Sequence, residues 1–297
     1  MSKQAKSRPR DAAFRTTLSP LELRKSLQPG QSVELLQELG LVNRDGSATA
    51  SANRKLKQIS HFLRLLEPAL ADLFERHPDP VLVDAAAGKS YLGFALYDLL
   101  LRDRETGQVK AIESRAELAT RATALRDRNG YARLEVLQSS ILEATLPERT
   151  HLVLALHACD TATDEAIVRA VRTNADHVAL VPCCQAELAR QLGALSAPAL
   201  PAPPLSVLWR HAWHRREFGS HLTNVLRALL LQAHGYAISV TELAGWEHSV
   251  KNELILGRRV GRYHDPARKE LAELLRQIPV RPWLVEQLLP ELLPEAA

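Results

Sequence analysis

Cysteine is scarce: Cys159, Cys183 and Cys184 are the only three in 297 residues. An odd number with two adjacent is a poor disulfide framework, which fits a reducing cytoplasm. Long apolar runs are missing too. No segment approaches the roughly 18 to 20 residues needed to span a bilayer. The opening stretch, MSKQAKSRPRDAAFRTT, has no apolar centre and is not a secretory leader. It is Arg-rich, as organelle transit peptides are, but shows no amphipathic stripe. The expectation is a soluble cytoplasmic protein with no membrane partner. With 46% hydrophobic and 24% charged residues, the chain can bury an ordinary core.

Glycine is missing where phosphate-binding turns require it. The stretch VLVDAAAGKSYLGFALYDLL, Val81 to Leu100, contains Gly88-Lys89-Ser90. A P-loop needs a further glycine five positions earlier, and Val83 stands there. Asp84 would also set a negative charge against a triphosphate. A dinucleotide turn needs three glycines, but Ala86 and Tyr91 flank the single Gly88, and the bulk of Tyr91 opposes close pyrophosphate approach. A cationic nucleoside without phosphates fits better. S-adenosylmethionine carries a sulfonium and an ammonium, which acidic groups at strand ends attract. Asp84 ends the first strand, Gly88 lets the chain pass close to a ligand, and Glu113, ending KAIE, is placed to accept from ribose hydroxyls or to cap the next helix.

What is present is an alternation. VLVDA, QVKAIE, RLEVLQ, HLVLALH and HVALVPCC read as strands, most of them separated by helical patterns, which argues a parallel sheet with helices on both faces. Thr161 and Asp164 fit a capping box opening the helix after the fourth strand. Leu222, Val225, Leu226, Leu229 and Leu230 form a helical stripe closed by Gly235. YAISVTEL and NELILGRR follow without an intervening helix, as an antiparallel addition, and Leu271, Leu274, Leu275 and Ile278 mark a last helix. Upstream, Leu56, Ile59, Phe62, Leu63, Leu66, Leu70 and Leu73 share one helical face, with Pro68 a kink. The domain reading is a disordered basic tail over 1–17, a helical extension over 18–78, the α/β domain over 79–262 with a Pro-rich loop at 194–206, and C-terminal helices over 263–297. Residues 1–64 hold 12 Lys or Arg against 5 Asp or Glu. That local +7 suits attraction to phosphates or, equally, a solvated tail and helix surface.

VDAAAGKSYLGFALYDLL, AIESR, ALHACDTATDEAI, VPCC and EHSVKNELILGRR together resemble a class I S-adenosylmethionine-dependent methyltransferase. The subgroup has His-x-Cys ending the fourth strand and Pro-Cys-Cys the fifth, and includes the eukaryotic methyltransferase-like proteins. A tRNA 2′-O-methyltransferase is a more distant likeness. The resemblance runs from about Lys55 to Val260, and implies a Rossmann-like seven-stranded methyltransferase sheet with S-adenosyl-L-methionine as cofactor. The sequence departs from the pattern at Ala86, where glycine is usual, at Gln185, where histidine is common, and at Asn224, which replaces an aspartate.

The expected donor-binding set is Asp84, Ala86, Gly88, Tyr91, Glu113, Ser139, Ser140 and His157. Catalytic candidates are His157, Asp160, Cys159, Cys183 and Cys184. His157 or Asp160 could take a proton from the acceptor or hold it, since histidine titrates near 6.5. The alternative is that His157 bonds backbone and Asp160 caps a helix. The cysteines could attack a base ring or bind zinc, or simply shape the pocket; no Lys or Arg lies beside them to activate a thiol, and no metal is expected. WRHAWHRREFGSHLTN sets Trp209 and Trp213 among Arg210, His211, His214, Arg215 and Arg216, as a base-stacking segment would. Trp213, Arg215 and Arg216, with His248, Lys251 and Asn252 in the turn between the last strands, are the substrate-binding candidates. The leading reading is RNA methylation, of tRNA or rRNA. A protein or small-molecule acceptor, or a non-catalytic RNA-binding protein on the same scaffold, are the alternatives.

Overall fold

Four consecutive buried residues, Val-Leu-Val-Asp, make the central strand β1 (Val81–Asp84). A run apolar at every position, rather than at alternate ones, is what a strand covered on both faces needs. β2 (Gln108–Ile112), β3 (Leu134–Leu137), β4 (Leu152–Leu156) and β5 (His177–Val181) continue the parallel part. β6 (Tyr236–Glu242) and β7 (Glu253–Arg259) follow, β7 pairing antiparallel to both β5 and β6. The strand order is β3-β2-β1-β4-β5-β7-β6. The order reverses between β1 and β4, where open α/β sheets form a ligand crevice outside the carboxyl ends of their strands. This is a Rossmann-like α/β sheet of seven strands, with β7 running antiparallel to its neighbours.

The computed structural model describes residues 17–19, 27–158, 160–183, 185–195, 207, 210–243, 252–261 and 264–293. The chain forms two compact units, dividing after Leu63. The first contains α1 (Val33–Glu38), whose Ser32 hydroxyl accepts from the Leu35 amide, and a two-residue ladder pairing Thr17–Leu18 with Ala48–Thr49. α2 (Ala50–Arg76) begins in that unit and ends in the second, and remains one helix through Pro68. The helix is therefore continuous across Pro68, where the sequence predicts a kink. The seven apolar positions from Leu56 to Leu73 are all buried, so tertiary burial of the stripe outweighs the one backbone bond that proline removes.

In the second unit α3 (Tyr91–Leu96) lies over β1 to β3: Gly93 faces Asp84, Ala111 and Leu134 closely enough that a Cβ there would stand 3.3 Å from the Asp84 carboxylate. α4 (Ala116–Arg128) connects β2 to β3. On the other face Val83, Val153, Ala155, Val178 and Leu180 join residues of α5 (Thr161–Arg172), α7 (Ala212–Ala233), α8 (Asp265–Gln277) and α9 (Trp283–Leu288) in one apolar core. α6 (Glu187–Ala194) crosses α7 where Gly219 meets the Ala189 backbone; a Cβ at Gly219 would be 2.8 Å from that amide nitrogen.

Two helix expectations need correction. Leu222, Leu226 and Leu230 are buried as the stripe requires, but Val225 is half exposed. Arg227, two positions on, is buried and paired with Asp164. The capping box at Thr161 is not formed either. The helix starts at Thr161 itself, Asp164 pairs with Arg227, and Thr163 donates its hydroxyl to the Ala158 carbonyl. Gly235 does follow the end of α7 with φ of 83°, as its placement predicts. No helix among the described residues is long and apolar enough to cross a membrane.

Candidate functional site

The turn after β1 is pinned on both sides. Ala85 N–H donates to the Leu154 carbonyl of β4 and Ala87 N–H to the Ile112 carbonyl of β2, each at 2.8 Å. Between these anchors the backbone turns left-handed at alternate positions: Ala86 at φ 57°, Gly88 at 61° and Ser90 at 55°. Only one is glycine, so the other two hold strain on the order of 1 kcal/mol each. The third left-handed position is Ser90, fully buried, whose hydroxyl has no hydrogen-bond partner among the described residues. Tyr91 begins α3.

Asp84 is buried behind this turn, not within the cleft. Its Oδ2 accepts from the Gly93 amide at 3.0 Å. Burial raises its pKa to about 7, the Gly93 bond opposing and the nearby Glu113 charge adding. The group therefore anchors the first turn of α3.

Glu113 ends β2 and is the anchor of the cleft. Its Oε2 accepts from the Gly88 amide at 2.7 Å and from Arg115 Nη2 at 3.1 Å; its Oε1 accepts from the Arg115 amide at 2.9 Å and Arg115 Nε at 2.8 Å. Burial pushes its pKa up, but the bonds from Arg115 and Gly88 outweigh that and hold it below the ordinary value. The carboxylate thus faces the glycine turn and also bonds Arg115, the residue preceding α4. The cleft holds about 420 Å³, within the usual range for small-ligand sites. Ala86, Glu113, Arg115, Ser139, Ser140 and His157 contribute to its wall, together with Glu165. Asp84, Gly88 and Tyr91 do not line it. Ser140 is engaged locally, donating to Glu143 Oε2 at 2.8 Å. Glu165 and Arg115 went unassigned in the sequence. Burial raises the Glu165 pKa, with the charges of Asp164 and Glu143 adding. The only signal for it was its place one turn into the helix after β4.

The rim beyond β4 is strained as well. His157 has φ 59° and Asp160 φ 49°. His157 is half buried, and burial lowers its pKa, so the ring is neutral near pH 7 and able to accept a proton. Its amide donates to the Val181 carbonyl, and its own carbonyl accepts from Cys183 Sγ at 3.4 Å. That thiol is a donor to backbone here. Asp160 Oδ1 accepts from the Ala186 amide at 3.1 Å and Oδ2 from Arg190 at 3.3 Å. Asp160 makes no side-chain bond to α5; it ties the loop after β5 to the rim, and so serves the entrance to α6. Cys159 and Cys184 lie outside the described residues.

Behind that rim runs a buried polar chain that the sequence did not disclose. Arg227 holds Asp164 with two bonds, of 2.7 and 2.9 Å, and also donates to the Asp160 carbonyl and to Asn224 Oδ1. Asn224 donates to Glu253 at 2.7 Å and accepts from Gln185 at 3.3 Å, and Gln185 accepts from Ser220 at 2.6 Å. The two departures from the family pattern, Gln185 and Asn224, are therefore partners of one another. Neutral amides there satisfy a guanidinium and a carboxylate at once, where charges would need further compensation.

The first turn of α7 bears the aromatic and cationic segment. Trp213 is 65% exposed, with the Arg216 guanidinium 4.3 Å above its ring. His211 and His214 contact edge to face at 5.5 Å. Arg215 lies against α6, near enough to Gly193 that a Cβ there would be 3.2 Å from its Nε. Asn252 is buried, its carbonyl accepting from the Leu243 amide across the β6–β7 hairpin. Trp209, His248 and Lys251 lie outside the described residues.

One metal-like grouping occurs among the described residues, His77, His151 and Asp176, the last two just before the amino ends of β4 and β5. It does not suit a cation. His151 Nδ1 accepts from the Val81 amide, which leaves the proton on Nε2, and Asp176 already accepts from Arg76 and Arg149.

Residues 54–191 match the model of a family described as "Methyltransferase domain". The match covers just under half of the chain. No curated protein matches the chain. Among solved structures, an SAH-bound methyltransferase from Podospora anserina is 13% identical, covering 80% of this chain and 92% of its own, with a TM-score of 0.46. A putative RNA methyltransferase from Pyrococcus horikoshii is 16% identical, covering 80% and 94%, with a TM-score of 0.37. An rRNA methylase from Streptococcus thermophilus is 10% identical, covering 66% and 96%, with a TM-score of 0.39.

Proposed function

We propose that the protein transfers a methyl group from S-adenosylmethionine to a nucleotide within RNA. The observation that carries most weight is the Glu113 carboxylate, turned into the cleft at the end of β2 and fixed by the Gly88 amide. The donor set suits this cofactor. A carboxylate accepts from a ribose diol and repels polyphosphates, and the turn beside it presents nothing larger than a methyl group at Ala86 and Gly88. When bound, the cofactor supplies an activated methyl.

The chain's own residues bind, orient and accept protons. Glu113 would hold the ribose, and Ser139 and Ser140 the region toward the adenine. His157, kept neutral by burial, is poised to take a proton from an acceptor hydroxyl or amine. Asp160 positions the rim through Ala186 and Arg190. Most of the rate enhancement would come from aligning acceptor and methyl.

RNA is favoured as acceptor by Trp213 and its cationic neighbours. An exposed indole beside Arg216, His211 and His214 can stack a base while the cations meet phosphates. The excess of basic residues before Arg64 adds to that attraction. The test is incubation with methyl-labelled donor and separate pools of cellular RNA, protein and metabolites. Label in RNA supports the reading. Label confined to protein or metabolites overturns the acceptor assignment, and no label in any pool with RNA still bound favours a non-catalytic scaffold.

A further inference from the structure

We propose that Arg115 is a stand-in for the donor's ribose: its guanidinium occupies the two acceptor positions of Glu113 that a cis-diol needs, and binding exchanges one for the other. This rests on the reading of the cleft as a nucleoside-donor site.

A carboxylate offers about four acceptor positions on its two oxygens. All four are filled at Glu113. Two are taken by backbone amides, Gly88 at 2.7 Å and Arg115 at 2.9 Å, and these fix the carboxylate's orientation. The other two are taken by the Arg115 side chain, Nε at 2.8 Å on Oε1 and Nη2 at 3.1 Å on Oε2. The fork thus puts one N–H on each oxygen, the pattern that two vicinal hydroxyls would reproduce. A sugar cannot reach this carboxylate without displacing the fork.

The two partners differ in freedom. The Glu113 side chain is 4% exposed and the Arg115 side chain 66% exposed. The arginine can swing into solvent while the carboxylate stays. The guanidinium also lies over the glycine turn, 3.8 Å from where a Gly88 Cβ would be. With the site empty, it keeps a buried anion satisfied; an unpaired one would be costly. The consequence is a donor site whose affinity is reduced by its own arginine, and which accepts only a sugar able to replace both bonds.

The experiment is calorimetric titration of S-adenosylhomocysteine into wild type, Arg115→Ala, Arg115→Lys and Glu113→Ala, at low and high ionic strength. An ion pair whose cation is largely exposed is discounted for solvent screening to up to about 1 kcal/mol, so Arg115→Ala should bind about two- to fivefold tighter at low ionic strength. The gap should close at high ionic strength, where the wild-type pair is screened. Arg115→Lys, a point charge without a fork, should fall between the two. Adenosine should show the same gain on Arg115→Ala, and 2′-deoxyadenosine a smaller one. Weaker or unchanged binding by Arg115→Ala at low ionic strength overturns the proposal. If neither wild type nor Arg115→Ala binds the nucleoside, the cofactor reading falls and this inference with it.

Discussion

The Gly88 amide donates to Glu113 Oε2 at 2.7 Å, joining the turn after β1 to the end of β2. The glycine is thus held against the acid across two adjacent strands. Replacing Glu113 by alanine removes the acceptor for both the turn and the expected ribose. Donor affinity should fall at least tenfold, since bonds to a charged group contribute about 1.5–3 kcal/mol. Calorimetry with S-adenosylhomocysteine checks this, and unchanged affinity means the ribose assignment is wrong.

Acid should loosen the same junction. The folded Glu113 carboxyl titrates below its ordinary value, so its contribution is fully present above the unfolded pKa. It is lost as pH falls through the folded value. Glu113→Gln should therefore flatten the acid limb of the unfolding-temperature profile. An acid limb identical to wild type argues that the carboxylate is not held this way.

Asp84 should behave oppositely. Its pKa is raised to about 7 by burial, so the folded state binds a proton that the unfolded chain releases near 3.8. Ionising it costs stability progressively as pH rises from 3.8 to about 7, after which the cost is constant. Asp84→Asn keeps an oxygen for the Gly93 amide and should gain on wild type with rising pH. A melting-temperature difference that is flat between pH 5 and 8 contradicts this assignment.

Arg227 and Asp164 form a buried pair with side chains 1% and 4% exposed. Arg227→Met strands Asp164, Asn224 and the Asp160 carbonyl, and should destabilise by about 3–5 kcal/mol. Arg227→Met with Asp164→Leu should recover part of the loss. Denaturant unfolding measures both, and a single variant as stable as wild type would mean the pair is not buried as described.

Trp213→Ala should weaken single-stranded RNA binding by about 1–3 kcal/mol if the indole stacks a base. Arg216→Ala should chiefly reduce the salt dependence. Fluorescence anisotropy across a salt series separates the two, and loss of neither removes this face from the acceptor path.

The sheet was legible in the sequence because its strands are buried on both faces, which leaves continuous apolar runs such as VLVD and HVALV. The glycine turn and Glu113 were legible because they interrupt those runs. What stayed hidden depends on contacts between distant positions. Arg227 sits in an apolar stripe, and nothing local announces that Asp164, 63 residues earlier, will neutralise it. Thr161 and Asp164 have capping-box spacing, yet that tertiary ion pair outcompetes the local bond. Asp84 looked like a ligand because strand-end acids often are; only the close approach of Gly93 shows it turned inward. Ser90 was missed because its left-handed backbone is imposed by the turn rather than favoured by the residue.

The most direct measurement is competitive titration of S-adenosylmethionine, ATP and NAD against the purified protein. Saturable binding of the sulfonium nucleoside, lost in Glu113→Ala and with no measurable affinity for either phosphorylated ligand, is the expected result. Binding of ATP or NAD in the cleft, with none of the sulfonium compound, contradicts it.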